Sequence, residues 1–455
     1  TGLVQQTASP SEIPSLSPSQ IPSNSPSEVP SLSPSQVPSN SPSESRIGPP
    51  RAFDEKIIGY YASWQWYDRD SKAKPENMDF TKVGRVNFAF FQTDVSGNLF
   101  GTDSWGDPQV LYGPYDYSSP NSGIQYCSWD QALVKNCRHH QSEKGLINLV
   151  HDAGAEIYPS IGGARLSHTF PAMAASPYAR SNFADQCVDL IKDYGFDGID
   201  IDWEYPGYTE HSGTANDRAN FNLLLQVVRG KLDVYGGTTG RYYGLTAALP
   251  CGPSDINNID IATVSTHLDE LNLMSYDLNG AWNSVTGMNA PLYHQGWGAT
   301  NLNVDSCVNT WKDAGATHSK INIGLPFYGR SFSQATLPNQ SHSGPDKYNW
   351  SEDDGLPQYY NIEAKMSQMS SVRHEPSKTQ YASFNNGSGF LSYDDTRSIC
   401  DKTEYVLDNN LNGFIIWELS GDVMDDLSTP LLDMVNSKLE NPSLSCETGL
   451  VQQTA

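Results

Sequence analysis

The chain has 455 residues, with 52 Asp and Glu against 28 Lys and Arg and a formal net charge of −24. That length suits one large domain or two ordinary ones. The acidic balance argues against nucleic acid and anionic membranes, which need clustered cations, and no apolar run is long enough to insert in a bilayer. The balance suits a secreted protein acting on a neutral polymer, and the 10 Trp and 24 Tyr provide flat rings suited to sugar faces as well as to core packing.

Residues 1–52 carry a Pro at every fourth position from Pro10 to Pro42 and no aromatic residue before Phe53. This stretch is expected to be a disordered or extended Ser/Pro-rich linker. The octapeptide TGLVQQTA stands at residues 1–8 and again at 448–455. It suggests that residues 441–455 begin the linker of a further tandem unit, with an assembly artefact as the alternative.

From Lys56 onward, short apolar runs alternate with longer amphipathic stretches, the pattern of a parallel α/β fold. The expected strands are Lys56–Trp64, Arg85–Phe91, Glu156–Ile161, Gly198–Glu204, Tyr243–Leu249, Glu270–Tyr276, Lys320–Phe327 and Gly413–Trp417. Helices are expected over Ser181–Tyr194 and Asp217–Leu232. Eight strands in this order predict a (β/α)8 barrel over residues 53–440. An open doubly wound sheet is the alternative, but no Gly-rich phosphate turn supports it. Two long insertions interrupt the pattern. One runs from about Thr93 to Lys144 and carries Trp105, Tyr112, Tyr115, Tyr117 and Trp129, and the other runs from about Ser333 to Tyr393.

The most informative stretch is Phe196–Gly207, which reads FDGIDIDWEYPG. Alternation along a strand puts Asp200, Asp202 and Glu204 on one face and Ile199, Ile201 and Trp203 on the other. Three acids in a row repel one another, so the arrangement costs stability. An exposed edge strand or a cation site fits poorly, because the opposite face is apolar and no oxygen-ligand ladder follows. Crowded carboxylates raise one another's pKa and leave a proton available for general-acid chemistry. Asp197 has the opposite parity and is expected to be structural.

The pattern Asp197-x-x-Asp200-x-Asp202-x-Glu204 resembles the signature of glycoside hydrolase family 18, which includes many chitinases. The likeness runs through other strands: Tyr60 and Trp64 on the first, Ser160, Gly162 and Gly163 on the third, Met274, Tyr276 and Asp277 on the sixth, Tyr328 and Arg330 after the seventh, and Trp417 on the eighth. The resemblance implies an α/β (β/α)8 TIM barrel with a small α+β insertion domain at residues 333–393. It implies a secreted or cell-wall-associated chitinase acting on chitin or chito-oligosaccharides, with neither cofactor nor metal. In that scheme Glu204 is the general acid, Asp202 holds the substrate's acetamido group, Asp200 shares a proton with Asp202, and Tyr276 orients the acetamido oxygen. Tyr60, Trp64, Met274, Asp277, Tyr328, Arg330 and Trp417 are the implied sugar-binding residues.

Seven Cys lack metal-ligand spacing; Cys127 and Cys137, close in one loop, form the candidate disulfide, and the partners of the others stay open. Candidate N-glycosylation sequons begin at Asn339, Asn349 and Asn386.

Overall fold

A computed structural model describes residues 57–67, 72–113 and 144–447. The linker, both copies of the octapeptide, Cys127, Cys137, Tyr115, Tyr117 and Trp129 lie outside the described residues.

Eight parallel strands close into a barrel. They are β1 (Ile57–Ala62), β2 (Arg85–Thr93), β4 (Glu156–Gly162), β5 (Gly198–Asp202), β6 (Gly244–Leu249), β7 (Glu270–Leu273), β8 (Ile321–Pro326) and β13 (Gly413–Trp417). Closure is made by β1, which pairs with β2 on one side and β13 on the other. Strand β3 (Leu99–Gly101) folds back antiparallel on β2. The second insertion is a four-stranded antiparallel sheet of β9 (Arg330–Phe332), β10 (Met369–His374), β11 (Thr379–Phe384) and β12 (Phe390–Tyr393), with the helix Tyr359–Lys365. It begins at Arg330, slightly earlier than the sequence pattern suggests.

The barrel strands read as continuous apolar runs because both faces are covered. Outward residues such as Ile199, Ile201 and Trp203 pack under the helices, where the Trp203 ring stacks on Phe170 at 5.4 Å. Helix ends follow the local chemistry. Pro177–Tyr194 starts four residues before the expected Ser181, because Ser176 accepts from the Ala179 N–H and Pro177 occupies the first turn. It stops at Gly195, which is left-handed. The next helix, Asp217–Thr239, runs past Leu232 to a left-handed Gly240.

Several expected strands prove too long. The first, β1, ends at Ala62, so Trp64 lies in a short 3-10 turn beyond it, and the seventh, β8, ends at Pro326. Strand β5 ends at Asp202 and β7 at Leu273, so Glu204, Met274, Tyr276 and Asp277 stand beyond the ladder in irregular backbone. Tyr112, carried by the first insertion, is buried and stacks on Tyr194 at 5.2 Å. Disulfides join Cys251 to Cys307 and Cys400 to Cys446, while Cys187 is a buried free thiol. Where β12 hands over to the helix Thr396–Asp408, Lys402 and Asp394 form an ion pair with side-chain exposures of 0% and 2%.

Candidate active site

The inside of the barrel is polar. Near its N-terminal end, Arg85 lies between Glu156 and Glu270 and over the Tyr158 ring. One layer up, the Asp200 carboxylate accepts four hydrogen bonds: Tyr60 Oη at 2.8 Å, Ser160 Oγ at 2.8 Å, Thr246 Oγ1 at 2.6 Å and Asn272 Nδ2 at 3.3 Å. These donors come from β1, β4, β6 and β7, so the acid is held by half the barrel. Asp202 follows, 3% exposed, with an Oδ1 that has no hydrogen-bond partner. Glu204 completes the row, half-buried just past the strand.

Room for this row comes from Gly162 and Gly163, whose φ angles are 121° and 103°. A Cβ on Gly162 would stand 2.1 Å from the Asp202 carbonyl oxygen. The Gly163 N–H donates to that same oxygen at 2.7 Å. Any side chain here would push β4 off the acid strand.

Burial sets the proton affinities. Glu204 is pushed up to about 7 by loss of solvent and by the Asp277 charge, against a hydrogen bond with Tyr205 that pulls it down. Asp202 is raised well above the carboxylate range by burial and by the charges of Glu204 and Asp200. Asp200 is raised by burial, opposed by its donors Thr246, Tyr60 and Ser160 and by the Arg85 charge. Elsewhere burial raises Asp107 to about 6, and the hydrogen bond that His151 donates to the Asp197 carboxylate raises the imidazole. In each case the folded protein keeps protons that the unfolded chain has released. The stability each group contributes is complete below its own unfolded value, the carboxylate range for the acids and the ordinary imidazole value for His151, and is lost as pH rises through the folded value. The melting temperature is therefore expected to fall between about pH 5 and about pH 8; a flat or rising profile in a calorimetric series would contradict this.

An aromatic floor lies beside the acids. Trp417 sits 5.5 Å from Tyr60, 5.6 Å from Phe90 and 6.1 Å from Trp64, centroid to centroid. Trp64 is 47% exposed and, with Tyr67, walls a cavity of about 480 Å³ whose other side carries Glu352 and Asp353 of the insertion. Met274, Tyr276 and Tyr328 belong to the same buried cluster as Tyr60 and Phe90. The peptide bonds Ala89–Phe90, Glu204–Tyr205 and Trp417–Glu418 are cis, at positions no sequence pattern marks.

The residues expected to bind substrate or act on it thus converge towards the C-terminal ends of the barrel strands, and Asp197 keeps the structural place expected of it. Asp277 and Arg330 face each other: Arg330 Nε donates to Asp277 Oδ1 at 2.7 Å, and Tyr328 Oη donates to the same oxygen at 2.5 Å. Arg330 also lies 4.7 Å from the exposed Trp282 ring. Asp197 stands apart on the outer side, held by His151, Arg241 and the Ile157 N–H. Sequence reasoning missed Thr246, Asn272, Phe90, Tyr205 and Trp282. The first two were detectable as polar residues at alternate, inward positions of otherwise apolar strands. Of the sequons, Asn339 and Asn386 are exposed, whereas the Asn349 side chain bonds Asp346 at 2.5 Å.

Residues 56–422 match the family described as "Glycosyl hydrolases family 18". The chain belongs to this family. Among curated proteins it is 30% identical over 367 residues to "Endochitinase 1" of Metarhizium robertsii, covering 80% of each chain. Among solved structures it resembles the Ostrinia furnacalis Group IV chitinase in complex with allosamidin, with a TM-score of 0.71, 26% identity, and coverage of 86% of this chain and 100% of that one. It also resembles a family 18 N-acetylglucosaminidase from Paenibacillus barengoltzii, with a TM-score of 0.66, 26% identity, and coverage of 84% and 99%. As a member of the family, the chain is a glycoside hydrolase.

Proposed function

We propose that this protein is a chitinase that cleaves β-1,4 linkages between N-acetylglucosamine units, with retention and with the substrate's own acetamido group as nucleophile. The observation that carries the reading is the buried acid row ending in Glu204, whose carboxyl is raised to about 7 beside the Trp417 floor. A carboxyl at that value is still largely protonated in mildly acidic solution, so Glu204 can donate to the glycosidic oxygen. Family 18 departs from the two-carboxylate scheme, so no second side chain need attack the sugar. The acetamido carbonyl attacks the anomeric carbon as the C–O bond breaks, giving an oxazolinium intermediate. Asp202, with its unpartnered Oδ1, is suited to take the acetamido N–H and to offset the positive charge that develops there. The Tyr276 hydroxyl, raised well above 10 by burial and by the neighbouring acids, stays protonated to orient the acetamido oxygen. Asp200, raised by burial against its donors, shares a proton with Asp202 and can take it up, so that Asp202 carries the negative charge when the acetamido group is engaged.

Two disulfides and the exposed Asn339 and Asn386 support an exported protein. Among the described residues no helix is long and apolar enough to cross a membrane. The test is product analysis on chito-oligosaccharides by NMR immediately after mixing. Short products with the β-anomer in excess are expected. An α-anomer excess would refute the substrate-assisted route. Release of monosaccharide alone would assign an N-acetylglucosaminidase, and binding without turnover a lectin.

A further inference from the structure

Glu204 lies two residues beyond the last paired position of β5, where the register Gly162↔Asp202 ends. Its peptide groups therefore have no sheet partner, and an unpaired buried peptide group is costly. Two side chains from other segments take them. The Glu204 N–H donates to Ser167 Oγ at 2.9 Å. The Glu204 carbonyl oxygen accepts from His211 Nδ1 at 2.8 Å. Ser167 is fully buried, and its hydroxyl reaches back to the Gly163 carbonyl at 3.0 Å and the Asp202 carbonyl at 3.2 Å. It thereby links the acid's backbone to the glycine turn that closes over Asp202. On the other side the His211 ring packs edge-on against Tyr208 at 5.1 Å. The loop carrying both is tied by Asp217, which accepts from the Gly207 and Thr214 N–H groups at 3.0 Å each. Neither Ser167 nor His211 lies in the acid signature.

We infer that Ser167 and His211 are positioning residues that clamp the Glu204 peptide from both sides and so aim its carboxyl at the glycosidic oxygen. The inference rests on Glu204 being the proton donor. Catalytic distances tolerate little error, and a shift of about 1 Å in a donor can cost on the order of a hundredfold in rate.

The experiment compares wild type, Ser167→Ala, Ser167→Thr, His211→Ala, His211→Asn and Glu204→Gln. Two substrates are used: a chito-oligosaccharide, whose sugar leaving group needs the proton, and an aryl chitobioside, whose phenolate leaves without full protonation. If the clamp aims the acid, Ser167→Ala and His211→Ala lower kcat on the oligosaccharide by about tenfold or more. They keep KM within about twofold and lose markedly less on the aryl substrate. Ser167→Thr and His211→Asn restore part of the rate. Equal losses on both substrates, or full activity in folded alanine variants, would overturn the clamp. His211 is half-exposed in a loop, so its variants keep the test decisive if Ser167→Ala fails to fold. Full activity of Glu204→Gln would instead remove the proton-donor reading beneath it.

Discussion

Replacing Glu204 by Gln is expected to lower turnover of chito-oligosaccharides by about 10²–10⁴-fold, the usual share of a general acid, while leaving affinity within about tenfold. The amide keeps the size and hydrogen-bonding capacity of the acid but has no proton to give. Binding should survive because the rings of Tyr60, Phe90, Trp64 and Trp417 and the acetamido contacts proposed above do not involve the lost proton. Loss of solvent is what raises the Glu204 carboxyl to about 7, so the neutral amide removes that cost, and the variant should melt no lower than wild type at about pH 8. Steady-state rates with calorimetric titration of an oligosaccharide check both halves. Turnover above about a tenth of wild type would refute the assignment, and loss of binding would show that the residue holds substrate rather than only protonating it.

The largest effect on stability is expected away from the site, at the Lys402–Asp394 pair. Both side chains are out of water, and Asp394 Oδ1 has no hydrogen-bond partner. Burial raises the Asp394 carboxyl, and Lys402 is the main group pulling it back, with Arg373 helping. Lys402→Met would leave that carboxylate buried with only the more remote Arg373 charge, at a cost of about 3–5 kcal/mol. The same substitution combined with Asp394→Leu is expected to recover most of the loss, since replacing a whole buried pair by apolar groups is often neutral. With Lys402 gone, Asp394 should titrate at a raised value in the folded state. The deficit then shrinks as pH falls and grows as pH rises through that value. Urea unfolding of the single and double variants at two pH values decides the matter, and a single-variant loss below about 1 kcal/mol would contradict it.

Much of this architecture was legible beforehand, because fully covered parallel strands leave the plainest signal a chain can carry. The run Ile57–Ala62 and the run Gly413–Trp417 stand out as apolar words between polar ones, and both are barrel strands. Strand parity likewise separated the inward Asp200 from the outward Ile199. The same rule overshot at Glu204 and Tyr276, since alternation continues in residue types after the hydrogen-bond ladder has stopped. Contacts set by tertiary geometry were not legible. Nothing local pairs Cys251 with Cys307, turns Asp277 toward Arg330, or brings Ser167 and His211 to either side of one peptide. The same holds for Tyr112: a ring in an insertion can line a surface or fill the core, and only its stacking on Tyr194 decides which.

The floor of the site is made by the two ends of the barrel. Trp417 closes β13 and Tyr60 belongs to β1, and these strands pair through Ile57↔Phe414, Ile58↔Ile415 and Gly59↔Ile416. The acids are in place on β5 long before the ribosome reaches Trp417, yet a nascent or C-terminally clipped chain would hold them without a surface to seat a sugar. Hydrolysis is therefore expected only once the last strand has docked on the first, so that activity would report whether the ring has shut.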